Sequence, residues 1–325
     1  MQPTSLTLDV DTGTDDAVAI MLAALHPALN LVAVTTVNGN VPLPNTTENT
    51  LRVLDHIGRG DIPVYAGAAE PLARTDQPIP RSVKDQSDFH DDYLDLPAAR
   101  STAQPTAAAV YLVDRFRTAR LNGERLVLVA VGPLTNLALA IKLDPEFASA
   151  VSRLVIMGGG HEIPNVTASA EFNFWADPEA AHVVLNSGIE DVTVVPLDAT
   201  HRALINYGHC AQIRELGTPA ATATASIIER RIRGYDSSQP MAHGGAAPVH
   251  DALCVAYLID PSVITCRRYH MDVETAGPLT IGRSIIDTHQ RGDKPANAQV
   301  AFDADPRKFV SLLLETFAST AHMRA

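Results

Sequence analysis

The stretch LTLDVDTGTDDAVAI, residues 6–20, sets four carboxylates between an apolar strand and an apolar helix. Asp9, Asp11, Asp15 and Asp16 fall within eight positions. Like charges that close repel one another and resist burial, so the chain must supply something that makes the gathering stable.

The strand-to-helix step repeats. LTLDV reads as a strand, DAVAIMLAAL as a helix, LVAVTTV as a strand, TENTLRVLDHI as a helix and IPVYAG as a strand. Further strands follow at RLVLVAV, RLVIMG and DVTVVPL, with PLTNLALAI and PEAAHVVL as helices. This alternation predicts the α/β class, with a mainly parallel, Rossmann-like central sheet and helices on both faces. Sites in such sheets collect at the carboxyl ends of the strands. The polar strings DVDTGTDD, TTVNGN, VGPLTN, MGGGHE and PLDATH each close a strand there.

With 325 residues and 46% hydrophobic content the chain can bury a large core, and a single domain over 1–325 is expected. Two segments, 74–104 and 219–250, are expected to act as lids. The first is rich in Pro, Asp and Gln, and the 234–250 part of the second in Gly, Ser and Pro. A net charge of −12 argues against nucleic acid or an anionic membrane as partner and leaves a neutral small molecule compatible. Cys210, Cys254 and Cys266 are odd in number and lack CxxC spacing, so neither a disulfide framework nor a zinc site is indicated. The N-terminus lacks a basic region followed by an apolar one, and the apolar run LVLVAVGPLTNLALAI is broken by Gly132, Pro133 and Asn136. A cytoplasmic protein is expected.

Asp15 and Asp16 stand in the first turn of a helix, where carboxylates complement the macrodipole by ~0.3–1 kcal/mol each. That does not account for Asp9 and Asp11, which share one strand face because side chains alternate. No Lys or Arg occurs in residues 1–51. A bound cation is the economical partner, and an all-oxygen ligand set calls for a hard ion, Ca²⁺ or Mg²⁺. An Asp-x-Asp-Thr string after a strand also looks like the nucleophile loop of haloacid-dehalogenase-type phosphatases. That loop does not require the pair Asp15–Asp16, however, and a downstream GDxxxD-type motif is absent.

The cluster and its surroundings resemble the inosine–uridine-preferring nucleoside hydrolase family. The strings DVDTGTDDAVAI, TTVNGN, VGPLTNLALAI, VIMGGG, AEFNFWADPEAA and VHDALCVAYLIDP occur in the family's order, and the GRSIID region near the C-terminus also fits. The resemblance implies hydrolysis of the N-glycosidic bond of a ribonucleoside, pyrimidine or purine, to ribose and free base with one Ca²⁺. It implies calcium ligation by the carboxylates of Asp11, Asp16 and Asp251 and the backbone carbonyl of Val131, with Asp11 also the general base toward a calcium-bound water. Asp15, Asn40, Asn165, Glu171, Asn173 and Asp251 are expected at the sugar, with Met157 packed against it and Asp9 as a supporting carboxylate. The resemblance further implies a homodimer or homotetramer.

The leaving base needs a proton, and His250 is the candidate donor; its other reading is a loop histidine, with Asp251 merely capping the helix ALCVAYLI. Tyr235 and His243 are the fallback donors. Trp175 is expected in the core, and His182 and His201 are expected to be structural. MGGGHE does not fit GxGxxG and no GxxxxGK[ST] occurs, so phosphate binding is not indicated. The chain departs from the family pattern at FHDDYLDLP, where Asp91 and Asp92 follow His90, and at the long MAHGGAAP string before His250. Both departures bear on base preference. A calcium-dependent nucleoside-binding protein without turnover is the alternative; retention of Asp11 as a base favours the enzyme.

Overall fold

A computed structural model describes residues 2–73, 90–242 and 244–319. The chain opens with β1 (Thr4–Val10), α1 (Thr14–Leu25), β2 (Leu29–Thr36), α2 (Leu43–His56) and β3 (Val64–Ala66). It continues with α3 (Ala108–Leu121), β4 (Leu126–Ala130), α4 (Thr135–Leu143), α5 (Phe147–Ala150), β5 (Arg153–Met157), α6 (Phe172–Ala176), α7 (Pro178–Leu185) and β6 (Val192–Val195). Then come α8 (Leu197–Thr200), β7 (Leu204–Asn206), α9 (Tyr207–Glu215), α10 (Pro219–Ser238), β8 (Ala246–Pro248) and α11 (His250–Ile259). The C-terminal part adds β9 (Ile264–Tyr269), β10 (Met271–Val273), β11 (Ser284–Ile286), β12 (Ala298–Ala304) and α12 (Pro306–Ser319).

Eight strands form one sheet in the order β3-β2-β1-β4-β5-β6-β12-β9. All neighbours run parallel except β9, which pairs antiparallel with β12 at the edge. The predicted α/β class is therefore observed, with an antiparallel edge that the sequence pattern did not announce. Strand order runs outward from β1 through β2 to β3, then reverses and runs from β4 to β5 and β6 on the other side. That reversal opens a crevice at the carboxyl ends of β1 and β4, where α/β sheets place ligands.

Alternation along the strands divides the core. Leu6, Leu8, Val10, Val127, Val129 and Val155 pack with α1 and α10–α12 on one face. Leu126, Leu128, Leu154 and Ile156 pack with α3, α4 and α7 on the other. Helix α1 is buried from Thr14 to Ala24, which explains why its sequence is apolar all round apart from its first turn.

Of the two segments expected to act as lids, 219–250 is mostly the 20-residue helix α10, with a short connection before β8. Of segment 74–104, residues 74–89 lie outside the described residues. Residues 90–96 dock on two helices: Asp91 pairs with Arg230 of α10, the carbonyl of Asp92 accepts from Asn49 Nδ2 at 3.3 Å, and the Arg52 guanidinium lies 4.6 Å from the Tyr93 ring centre. Of the two departures, Asp91 holds the segment through its side chain, whereas Asp92 contributes only its backbone carbonyl. Among the described residues no helix is long and apolar enough to cross a membrane.

Candidate active site

Asp9, on β1, is fully buried and points away from α1. It accepts from Thr35 Oγ1 and from Asn136 Nδ2 of α4 at 2.8 Å. Burial outweighs these bonds and pushes its pKa to about 7. Asp11 follows the end of β1, and its Oδ2 accepts from the Asn40 amide at 2.7 Å. Gly39 and Gly132 make room for it. A Cβ on Gly39 would overlap Asp11 Oδ2, and one on Gly132 would lie 2.8 Å from Oδ1. The glycine in TTVNGN is a packing requirement of Asp11.

Helix α1 then presents its first turn. Asp16 Oδ2 accepts from the Gly13 amide at 2.9 Å and Oδ1 from the Asp11 amide at 3.2 Å, so Asp16 caps the helix and ties it to β1. From the far end of the chain, α11 begins at His250, not after Asp251. Asp251 is therefore inside the first helical turn and does not serve as its N-cap.

The carboxylates of Asp15, Asp16 and Asp251 each place an oxygen within 4.8 Å of the others, all three buried. Burial, then the charge of Asp15, raises Asp16 to about 6. Burial and the neighbouring carboxylates hold Asp11 and Asp251 well above the ordinary range. In the protein alone this charge is under-compensated. An all-oxygen, buried donor set of this kind fits a hard divalent cation. The tightest trio contains Asp15, which the family resemblance places at ribose, while Asp11 borders it from the β1 side.

One protein cation does reach the cluster. The absence of Lys and Arg from residues 1–51 made a bound cation the only visible counter-charge, but Arg231 of α10 donates from Nη1 to Asp15 Oδ1 at 2.7 Å. Both side chains are nearly sealed, at 3% and 7% exposed.

A cavity of about 330 Å³ opens above the cluster. Ten of the twelve site residues read from the sequence line it: Asp11, Asp15, Asn40, Val131, Met157, Asn165, Glu171, Asn173, His250 and Asp251. The other two, Asp16 and Asp9, lie beneath the floor, each 0% exposed. Asn173 Nδ2 donates to the Val131 carbonyl at 2.8 Å and to that of Met157 at 3.2 Å, joining the ends of β4 and β5. Glu171 caps α6, accepting from the amides of Asn173 and Phe174, and also from Gly159 at 2.7 Å. Burial still lifts its pKa to about 7. Asn165 Oδ1 accepts from the Phe172 amide at 2.9 Å.

His250 is buried between two hydroxyls. Its Nε2 lies 2.7 Å from Tyr235 Oη and its Nδ1 2.7 Å from Thr200 Oγ1. Burial, then Arg231, His201 and His90, depress its pKa well below the usual value. His201 stands behind it, ring centres 5.7 Å apart, while His182 is at the surface beside Asp272. His90 lines the cavity, with Nδ1 accepting from the Thr14 amide at 3.3 Å. His243, a fallback donor, lies outside the described residues. Trp175 is half-buried with its backbone against Gly282 and does not line the cavity; Phe172 does.

Tyr235, expected only as a fallback donor, lines the cavity together with Arg231, Ser238 and Gln239, which sequence reasoning missed. Their spacing of i, i+4, i+7 and i+8 is one face of α10 and was readable, once the segment was taken as helix and not as loop.

Residues 6–311 match the family model for inosine–uridine-preferring nucleoside hydrolases. A pyrimidine-specific ribonucleoside hydrolase of Shewanella sp. strain MR-7 is 37% identical over 311 residues, covering 96% of this chain and 95% of that protein. An inosine–uridine-preferring nucleoside hydrolase of Leishmania major is 36% identical over 317 residues, covering 96% and 97%. Among solved structures, a purine-preferring ribonucleoside hydrolase from Gardnerella vaginalis superposes with a TM-score of 0.88 at 31% identity, covering 98% and 100% of the two chains.

Proposed function

We propose the following division of labour for this chain, which belongs to the inosine–uridine-preferring nucleoside hydrolase family and hydrolyses the N-glycosidic bond of ribonucleosides to ribose and free base. The observation that carries it is the convergence of Asp11, Asp15 and Asp251 on the floor of one cavity, with Asp16 directly below.

Asp11, Asp16, Asp251 and the Val131 carbonyl would hold Ca²⁺, with Asp15 close enough to join them. When bound, the ion supplies a lowered pKa for a water molecule and a fixed anchor for vicinal ribose hydroxyls. Asp11 takes the proton from the attacking water; its carboxylate is oriented by the Asn40 amide and confined by Gly39 and Gly132. Asp15, Asn40, Asn165, Glu171 and Asn173 orient the sugar, and Met157 packs against it.

Charge supports this reading. Among the described residues five carboxylates, Asp11, Asp15, Asp16, Glu171 and Asp251, face the guanidinium of Arg231, so negative charge is in excess. That excess favours a divalent cation and the positive charge that grows on the oxocarbenium-like sugar in the transition state. A nucleoside in its ground state is neutral and offers no such charge. The site therefore binds the transition state in preference to the ground state.

His250 and Tyr235 form a hydrogen-bonded pair on the cavity wall and deliver the proton to the departing base. The rest of the base side comes from α10 and from Phe172 and Val166. These side chains line the part of the cavity that the base would occupy and are the ones placed to set base choice. Three free cysteines fit a cytoplasmic setting, and a homodimer or homotetramer follows the family expectation. Light scattering on the purified chain tests the assembly. The function is tested by incubating the protein with uridine, cytidine, inosine and adenosine and measuring ribose. Release of ribose from none of them, with nucleoside binding intact, would favour the binding-protein alternative.

A further inference from the structure

The guanidinium of Arg231 does more than neutralise. It is 2% exposed, and its Nη1 donates to Asp15 Oδ1 and to Thr14 Oγ1, both at 2.7 Å. Its Nε donates to the carbonyl of Pro248 at 3.1 Å, two residues before His250. Its carbon lies 5.7 Å from the centre of the Tyr235 ring, whose hydroxyl meets His250. One side chain on α10 thus touches the first turn of α1, the strand that leads into α11, and the proposed proton donor pair.

Sealing a charge this deeply is a poor route to stability, because desolvation offsets much of the attraction to Asp15. The geometry serves direction instead. A planar fork can reach acceptors on Asp15, Thr14 and Pro248 at fixed angles, whereas a lysine is a single point. With Oδ1 held by Arg231, the Asp15 carboxylate is fixed in orientation where it lines the cavity. The preceding residue, Arg230, pairs with Asp91 of the docked 90–96 segment. Adjacent arginines therefore fasten α10 both to the cavity floor and to the segment beside the cavity.

We propose that Arg231 is a positioning residue: it aims Asp15 at the ribose and latches helix α10 over the base side of the cavity. The inference rests on the reading that Asp15 contacts ribose. Its effect on turnover passes through Asp15 and Tyr235, the two residues it is held against.

The test is a set of variants, Arg231→Met, Arg231→Lys, Asp15→Asn and the double variant Arg231→Met/Asp15→Asn, each measured for Ca²⁺ affinity by calorimetry and for kcat and KM on uridine and inosine. Arg231→Met removes a positive charge beside the carboxylates, so Ca²⁺ should bind at least as tightly as in the parent. Its kcat/KM should nevertheless fall on the order of 10²-fold, the scale of a misaimed contact, with KM raised. Arg231→Lys should recover part of that loss. Asp15→Asn should cost less in the Arg231→Met background than alone, because the two act through one contact. Parent-like kinetics in Arg231→Met would overturn the proposal, as would Ca²⁺ affinity and activity falling together, which marks a merely structural role. If Arg231→Met does not fold, Arg231→Lys decides: reduced kcat/KM with Ca²⁺ retained supports the proposal, and parent-like kcat/KM overturns it. Unchanged nucleoside KM in Asp15→Asn would remove the ribose reading itself and the proposal with it. An impaired Asp15→Asn beside an intact Arg231→Met overturns the proposal alone.

Discussion

Tyr235 Oη lies 2.7 Å from His250 Nε2, across the turn and strand that separate α10 from α11. Since Thr200 Oγ1 engages the other ring nitrogen, both nitrogens of His250 are already in hydrogen bonds. In the proposed mechanism the pair delivers the proton to the leaving base, so it matters only when the base needs that proton. In His250→Ala, hydrolysis of uridine or inosine should fall ~10²–10⁴-fold, while a p-nitrophenyl riboside, whose phenolate leaves unaided, should be cleaved almost as before. Tyr235→Phe should show the same asymmetry. Equal losses on both substrate types would assign the pair a structural role.

Asp11→Asn keeps an oxygen for a cation but cannot accept a proton from water. Its kcat should drop ~10²–10⁴-fold with a modest change in KM. A kcat within a few-fold of the parent, roughly the spread expected of a non-catalytic change, would take Asp11 out of the reaction.

The buried carboxylates predict a firmly held divalent cation. Protein purified without chelator should contain calcium by elemental analysis, and prolonged chelation should abolish ribose release until calcium is restored. Asp16→Ala should weaken retention, because it removes a carboxylate from the cluster's centre and loosens the cap that ties α1 to β1. Stoichiometric zinc in the purified protein would contradict the all-oxygen donor set.

Gly39→Ala tests whether Asp11 is held by shape. The added methyl group would overlap the carboxylate that the Asn40 amide orients, so activity should fall at least ~10-fold through kcat. Thermal denaturation should show a loss of stability of ~1–3 kcal/mol, the scale of an overpacked buried site. A fully active Gly39→Ala would show that Asp11 has room to shift.

His201 gives a pH signature of folding. Burial, eased by Asp198 and reinforced by Arg231, lowers its pKa to about 4, while His250 and Tyr235 face the same ring. Its Nε2 is buried with no hydrogen-bond partner among the described residues. Between pH ~6.5 and about 4 the unfolded chain takes up a proton that the folded one refuses, so stability falls as pH drops through that window. His201→Gln should flatten the slope by up to ~1.4 kcal/mol per pH unit in denaturant titrations. An unchanged slope would mean that His201 titrates normally in the fold.

Local pattern was enough for the sheet class and for the residues gathered on the cavity floor. Strands of period two ending in polar strings, each followed by a helix, admit little besides a parallel α/β sheet. DVDTGTDD was expected at the carboxyl end of the first strand, and the sheet order puts that end at the switch point. Helix α7, Pro178–Leu185, falls on the expected PEAAHVVL, because its start has an Asp cap and a proline and its apolar spacing is helical. Asp9, Asp11, Asp15 and Asp16 were legible because they are local to one turn. His250 and Asp251 needed the family resemblance, since a His-Asp pair at a helix start has many other uses.

What meets the cluster from a distance depends on packing between elements far apart in the chain. Arg231 lies 216 residues from Asp15, and no pattern in either segment states that they touch. Gly, Ser and Pro after residue 234 made the end of α10 read as loop, whereas packing against α1 and the strand Ala246–Pro248 keeps it helical to Ser238. The Asp91–Arg230 pair and the antiparallel edge strand β9 are of the same kind. Periodicity reports which face of an element is buried. It carries no information on which buried face, hundreds of residues away, will complete the charge balance, and that choice is made when the layers close.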